Sequence, residues 1–337
     1  MRRLLFLLLT VVLVLPFTYG LAGAEVNEVN VYANPLQEWI VVAMQEFTKD
    51  TGIKVNWVYM GSGETFARVK AEAANPRADV WWGGTLDPHI QAKEEGLLEK
   101  YISPNDAKIP KEFKDPEGYW RGMYVGVVGF TVNTGLLKRL KLPVPHTWKD
   151  LIKPKYKKLI SMSNPETSGT AFTIMATLIQ MMGEDAALDY MKKLHKNIFE
   201  YTKSGTGPIG LVGLGEAAIG LNFVHDTINF AKKGQPITPI IPSDKTGYEI
   251  GGLSILKGAT HLKNAQKLVD WTLTAKAQAL AAPTGSYQLP TNPATPVPPE
   301  AVPLSKIKVV QYDFKWTAAN RDRLIKRWTS EVGIIPR

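Results

Sequence analysis

The chain has 337 residues, is 45% hydrophobic, carries a formal net charge of +9 and contains no cysteine. That length and apolar content suffice for two domains or two lobes and exclude an intrinsically disordered chain. The missing thiols exclude disulfides, thiolate metal sites, a cysteine nucleophile and a lipid anchor through cysteine.

Residues 1–24 read as an export signal. Arg2 and Arg3 supply the positive start, residues 4–15 an almost unbroken apolar run, and Ala22, Gly23 and Ala24 the small-residue cleavage pattern. The run is too short for a comfortable membrane span, so cleavage after Ala24 and a soluble exported chain are expected. Residues 26–33 then predict a strand. Leu36, Trp39, Ile40, Ala43, Met44 and Phe47 recur at helical spacing, with Gly52 as the C-cap. A second strand covers 53–59, a short helix starts near Phe66, and the apolar run ending in Gly83 and Gly84 is a third strand. Strands alternating with helices predict a parallel sheet, with both strand-to-helix turns along one edge. Further on, 86–96 predicts a helix, 97–120 an irregular connection and 123–132 a strand. The proline- and lysine-rich stretch 143–158 reads as surface. A second αβ set follows, with strands at 159–162, 221–224 and 238–241 and helices at 169–183 and 185–195. After it come a strand at 252–256, a helix at 262–275 and a final amphipathic helix at 316–331. Segments 125–132 and 238–250 are candidates to cross between the two sets, and two crossing strands make a hinge beside a cleft.

Polar residues collect where such a cleft would open. Gly61, Ser62, Gly63 and Thr65 precede a helix, as do Ser168, Gly169 and Thr170, and then residues 204–207. Helix N-termini present unpaired N–H groups and partial positive charge, which suits an anion, yet the same residues serve as ordinary helix caps. His225 and Asp226 end an apolar strand, and Glu249 lies in the second crossing segment. They can accept hydroxyl hydrogens from a polyol, or Asp226 can simply cap a helix. Trp81, Trp82, Tyr248 and Tyr287 can stack on a sugar ring, although a tryptophan within an apolar strand is more often core.

Little points to catalysis. His225 and Asp226 are sequence neighbours and poorly disposed for a nucleophile–base–orienter chain, and no nucleophile elbow or zinc-binding helix occurs. The five histidines lack metal-ligand spacing, so no metal and no cofactor are expected. The positive charge suits an anionic ligand, but the lysines are dispersed and no nucleic-acid signature accompanies them.

Several longer motifs accompany these residues: SG-x-x-x-x-R-x-x-A-E-x-x-NP-x-ADVWWGG at 62–84, GFTVNT at 129–134, SGT at 168–170, GEAAIG at 215–220 and KGATHLKNAQKLVDW at 257–271. On them the chain resembles the periplasmic solute-binding proteins of ABC importers, in the group that contains the ferric-iron binders. The resemblance implies a type II periplasmic-binding-protein fold: two α/β lobes joined by a two-strand hinge, with a ligand cleft between them. Lobe 1 would comprise 25–128 and, with the C-terminal helices, 244–337; lobe 2 would comprise 129–243. Ferric binders typically use an adjacent tyrosine pair near the place held here by residues 223–226, and this chain has none. The NFVHD run and Glu249 resemble instead the branch that binds hexose phosphates. By that resemblance His225, Asp226 and Glu249 hold sugar hydroxyls, while Ser62, Thr65, Ser168, Gly169 and Thr170 meet the phosphate or nearby oxygens. The expected function is capture of a small anionic solute, a sugar phosphate or related organophosphate, by a monomer that delivers it to an ABC permease. Alternatives are a ferric or phosphonate binder of the same fold, and an exported phosphate-ester hydrolase.

Overall fold

The computed structural model describes residues 27–334, and the expected export signal lies outside them. Strand β1 (Glu28–Ala33), helix α1 (Gln37–Thr51), β2 (Lys54–Tyr59), α2 (Ser62–Ala71) and β3 (Val80–Thr85) form the expected alternating unit, with β1 parallel to both β2 and β3. Helix α1 buries Trp39, Ile40, Ala43, Met44 and Phe47 as one stripe and ends where Gly52 adopts a left-handed φ of 70°. Helix α2 starts at Ser62, earlier than the expected Phe66. The extended Gly61 precedes it, and the Thr65 amide already donates to the Gly61 carbonyl at 2.8 Å. The expected polar loop is therefore the first turn of a helix. At the end of β3, Gly84 has a φ of 86°, and a Cβ there would stand 2.7 Å from Ser62 Oγ and 2.9 Å from Asn34 Oδ1. Glycine is what lets the turns after β1 and β2 close over the strand end.

After α3 (Leu86–Glu94) and β4 (Leu98–Glu99), the long β5 (Arg121–Val132) is buried along its whole length. The second lobe continues with α4 (Thr134–Arg139), α5 (Trp148–Leu151), β6 (Ile160–Ser163), α6 (Gly169–Met182), α7 (Glu184–His195), β7 (Ile198–Thr202), α8 (Gly207–Leu214), β8 (Ile219–Phe223), α9 (Val224–Lys232) and β9 (Thr238–Ile240). The chain then adds β10 (Tyr248–Leu256), α10 (Leu262–Thr272), α11 (Ala275–Ala279), β11 (Leu289–Pro290) and α12 (Phe314–Trp328). Helix α5 lies within the stretch expected at the surface. A capping box between Thr147 and Asp150 starts it, and it drives Trp148 and Leu151 into the core.

The strand order is β2-β1-β3-β10-β5-β8-β6-β7. The first half of β5 pairs antiparallel with β10, from Arg121 opposite Leu253 to Val127 opposite Tyr248. Its second half, Val128 to Val132, pairs with β8, and Phe130 to Val132 also pair with β9. One strand thus belongs to both lobes. The return passage runs beside it: Val128 N–H donates to the Gly247 carbonyl at 3.0 Å, and Thr246 Oγ1 donates to the Val128 carbonyl at 2.8 Å. These are the two crossing segments expected from sequence, and they form the hinge of a two-lobe fold.

Each lobe has its own core. Trp39 packs edge-on against Trp82 and Tyr124 in one, and Phe130 against Trp148 in the other. Fully burying such a side chain contributes roughly 1.5–3 kcal/mol. Helix α12 reaches both lobes: Ala318 packs with Leu86 and Ile90 of α3 in a smaller cluster, while Leu324 and Trp328 pack in the core of the second lobe. Its Arg321 forms a buried ion pair with Asp87 of α3, and Arg323 and Arg327 reach Glu184 of α7.

Candidate functional site

A cleft of about 950 Å³ opens between the lobes at the strand ends. Six helices start at it, because β1, β2, β3, β6, β7 and β8 all end there and turn into helix. Ser62 lines it from the first turn of α2, Thr85 from the N-cap of α3, and Ser168, Gly169 and Thr170 from the start of α6. Residues 204–206 add the turn before α8, where Pro208 stands in the first helical positions.

These groups meet across the lobes. Ser62 Oγ accepts from the Thr85 amide at 3.1 Å, and a Cβ on Gly169 would stand 2.5 Å from Thr85 Oγ1 and 2.9 Å from Ser62 Oγ. A Cβ on Gly61 would stand 2.9 Å from the Thr167 carbonyl oxygen. Ser168 also caps α6, accepting weakly from the Ala171 amide at 3.4 Å, and it accepts from Ser163 Oγ at 3.0 Å. The cap role and a place in the cleft coexist in one residue. The Thr85 hydroxyl is buried at this pole, within reach of the Asp87 carboxyl.

Thr65 does not line the cleft. It is fully buried, its hydroxyl donating to the Gly61 carbonyl at 3.0 Å and accepting from Asn34 Nδ2 at 2.8 Å. Asn34 in turn accepts from Trp81 Nε1 at 2.6 Å, so the strand core holds the first turn of α2 in place. Trp81 and Trp82 are core residues, with Trp81 stacked on His89 and Trp82 donating to Thr272. Tyr248 packs with Tyr312 and Phe314 rather than in the cleft.

The opposite pole is acidic. Helix α9 begins at Val224 with Phe223 at the N-cap, so His225 and Asp226 occupy its first turn and Asp226 is not the N-cap. Glu249, from β10, faces them. His225 Nε2 stands 3.6 Å from Asp226 Oδ1 and 3.9 Å from Glu249 Oε1, and an amide N–H of Gln288 donates to it at 3.2 Å. That bond leaves the imidazole proton on Nδ1, which has no partner. Burial lowers the His225 pKa to about 3 and raises that of Asp226 to about 7. Glu249 is raised well above its ordinary value, first by burial and then by the negative charge of Asp226. Around pH 7 the pole therefore holds a neutral imidazole and an Asp226 carboxyl midway through its titration, beside a Glu249 that burial disposes to keep its proton. Tyr124 closes the floor between the poles, its hydroxyl accepting from the Gly84 amide at 3.0 Å.

The structure thus brings together seven of the eight residues expected to touch the ligand, Ser62, Ser168, Gly169, Thr170, His225, Asp226 and Glu249. Thr85, Tyr124 and Gln288 were not anticipated. Of the three, only Thr85 carried a signal: a hydroxyl directly after the two glycines that end β3. Among the described residues no cluster of His, Asp or Glu has a metal-binding arrangement, and no helix is long and apolar enough to cross a membrane.

Two lobes, a double crossing and a polar cleft at the strand ends are the architecture of the periplasmic-binding-protein fold. The chain belongs to the bacterial extracellular solute-binding protein family, whose model matches residues 87–315. It is 41% identical over 321 residues to an uncharacterized protein of Haemophilus influenzae, covering 93% of this chain and 92% of that one. It is 28% identical over 250 residues to a putative 2-aminoethylphosphonate-binding periplasmic protein of Salmonella typhimurium, covering 71% and 70% of the two chains. Among solved structures it is similar to the periplasmic binding protein AfuA of Actinobacillus pleuropneumoniae with exogenous fructose-6-phosphate bound. The TM-score is 0.89 at 41% identity, covering 91% of this chain and 99% of that one. The family, the Salmonella relative and AfuA are described as binding proteins rather than enzymes, which removes the phosphate-ester hydrolase from consideration.

Proposed function

We propose that this protein captures a sugar phosphate or a related organophosphate and delivers it to an ABC permease. The observation that carries the reading is the two-pole cleft: helix N-termini with hydroxyls at one end, and His225, Asp226 and Glu249 at the other. A phosphate dianion suits the first pole, where Ser62, Ser168, Gly169 and Thr170 offer hydroxyls and amides along aligned helix dipoles without a metal. Sugar hydroxyls suit the second, which supplies acceptors in a fixed arrangement. Thr65 serves from behind, by holding Asn34 and the first turn of α2. Residues 25–128 and 244–337 would form lobe 1 and 129–243 lobe 2, with α12 bracing both. The fructose-6-phosphate in the similar AfuA structure supports this choice of solute.

Thermal-shift screening of the full chain against sugar phosphates, free sugars, inorganic phosphate, phosphonates and ferric salts tests the reading. A ligand present at 100 times its Kd adds about 2.7 kcal/mol of stability. Sugar phosphates are expected to raise the melting temperature where the free sugars do not. Stabilisation by ferric salts or by phosphonates alone would replace the sugar phosphate with that rival.

A further inference from the structure

The inner end of the cleft gathers acids with no base to answer them. Asp226 Oδ1 and Glu249 Oε1 flank one atom, His225 Nε2, at 3.6 and 3.9 Å. His225 brings no positive charge, since burial keeps its ring neutral. The other groups facing the two carboxyls are Tyr59 from β2 and Tyr124 from β5, both pushed further toward the neutral form, and the uncharged Gln288. Asp87 of α3 lies behind, already paired with Arg321. The lysines that line the cleft, Lys203 and Lys233, pair with Glu64 and Glu38 and are half-exposed or more. A neutral polyol would leave this pair of buried carboxyls without a cation. An ammonium group supplies one, with three hydrogens to donate.

We infer that the cleft prefers phosphorylated sugars bearing a protonated amine, seated with the ammonium between Asp226 and Glu249 and the phosphate at the helix N-termini. The inference rests on the sugar-phosphate reading above and narrows its solute class. Seating the cation ionises carboxyls that hold protons in the free protein, so binding releases protons. Affinity for the amine therefore rises with pH through about 7, where Asp226 would ionise unaided.

Calorimetric titration of the full chain with glucosamine 6-phosphate, glucose 6-phosphate and N-acetylglucosamine 6-phosphate tests this. Glucosamine 6-phosphate is expected to bind on the order of tenfold tighter than glucose 6-phosphate. The N-acetyl compound, which keeps the nitrogen but loses the charge, gains nothing. The glucosamine 6-phosphate heat should vary with the ionisation enthalpy of the buffer, reporting proton release. In Asp226→Asn, checked for an intact melting transition, the ratio of the two affinities falls toward one. Equal or tighter binding of glucose 6-phosphate, or an unchanged ratio in the variant, overturns the inference and leaves the sugar-phosphate reading standing. If neither sugar phosphate binds, both fall together.

Discussion

Asp226 keeps its proton up to about pH 7 in the folded chain, whereas an unfolded aspartate releases it near pH 3.9. Between those values the folded state binds more protons than the unfolded one, so the contribution of Asp226 to stability falls as pH rises through the window and is flat above it. Asp226→Asn removes that penalty. The ligand-free variant should match the wild type near pH 4 and exceed it at pH 8 by on the order of 1–3 kcal/mol, read from thermal melts across pH. A variant that is less stable than wild type at pH 8 would show that Asp226 supports the fold rather than the site. The sequence made this residue legible because His225 and Asp226 follow an apolar strand, which places them at a sheet edge. Glu249 was legible only as part of a crossing segment. Tyr124 and Gln288 were not, since a tyrosine inside a strand and a glutamine before a short one announce nothing until the chain has folded.

The elements around the cleft follow from short local patterns, and their misreadings have physical causes. The first turn of α2 looked like a loop because two glycines and two hydroxyl residues are poor helix formers. Tertiary contacts override that preference, since Asn34 and Thr65 hold the turn against β3. The stretch containing α5 looked like surface because lysines and prolines surround Trp148, Leu151 and Tyr156, whose burial their spacing did not reveal. At the start of α6 the absence of a side chain matters most. Gly169→Ala would press a methyl group between Thr85 and Ser62 of the opposite lobe. The variant should lose on the order of tenfold or more in affinity for a sugar phosphate, measured by titration. An affinity equal to wild type would mean that the lobes do not meet at this point in the bound state.

On the scale of the whole molecule, the lobes are joined by two antiparallel crossings in the sheet and braced by α12 on the outside. The crossings were legible because long β-forming segments recur where one αβ set gives way to the next. The brace was not, because the stripe of α12 reads as a single amphipathic face while it serves both lobes. The Arg321–Asp87 pair lies within that brace, buried on both sides, which ties α12 to α3. Across the mouth, Glu64–Lys203 and Glu38–Lys233 bridge the lobes at 3.3 and 2.9 Å. Exposed pairs of this kind contribute about 0–1 kcal/mol each, so they trim the closed state rather than create it. Closure has to come from a solute that touches both lobes, because only differential affinity shifts such an equilibrium. The most direct test is a crystal structure of the protein with glucose 6-phosphate. The phosphate is expected within hydrogen-bond distance of Ser62 and of residues 168–170, and the sugar hydroxyls on His225, Asp226 and Glu249. A phosphate seated instead against His225 and Asp226, or an unoccupied cleft at saturating ligand, would contradict that placement.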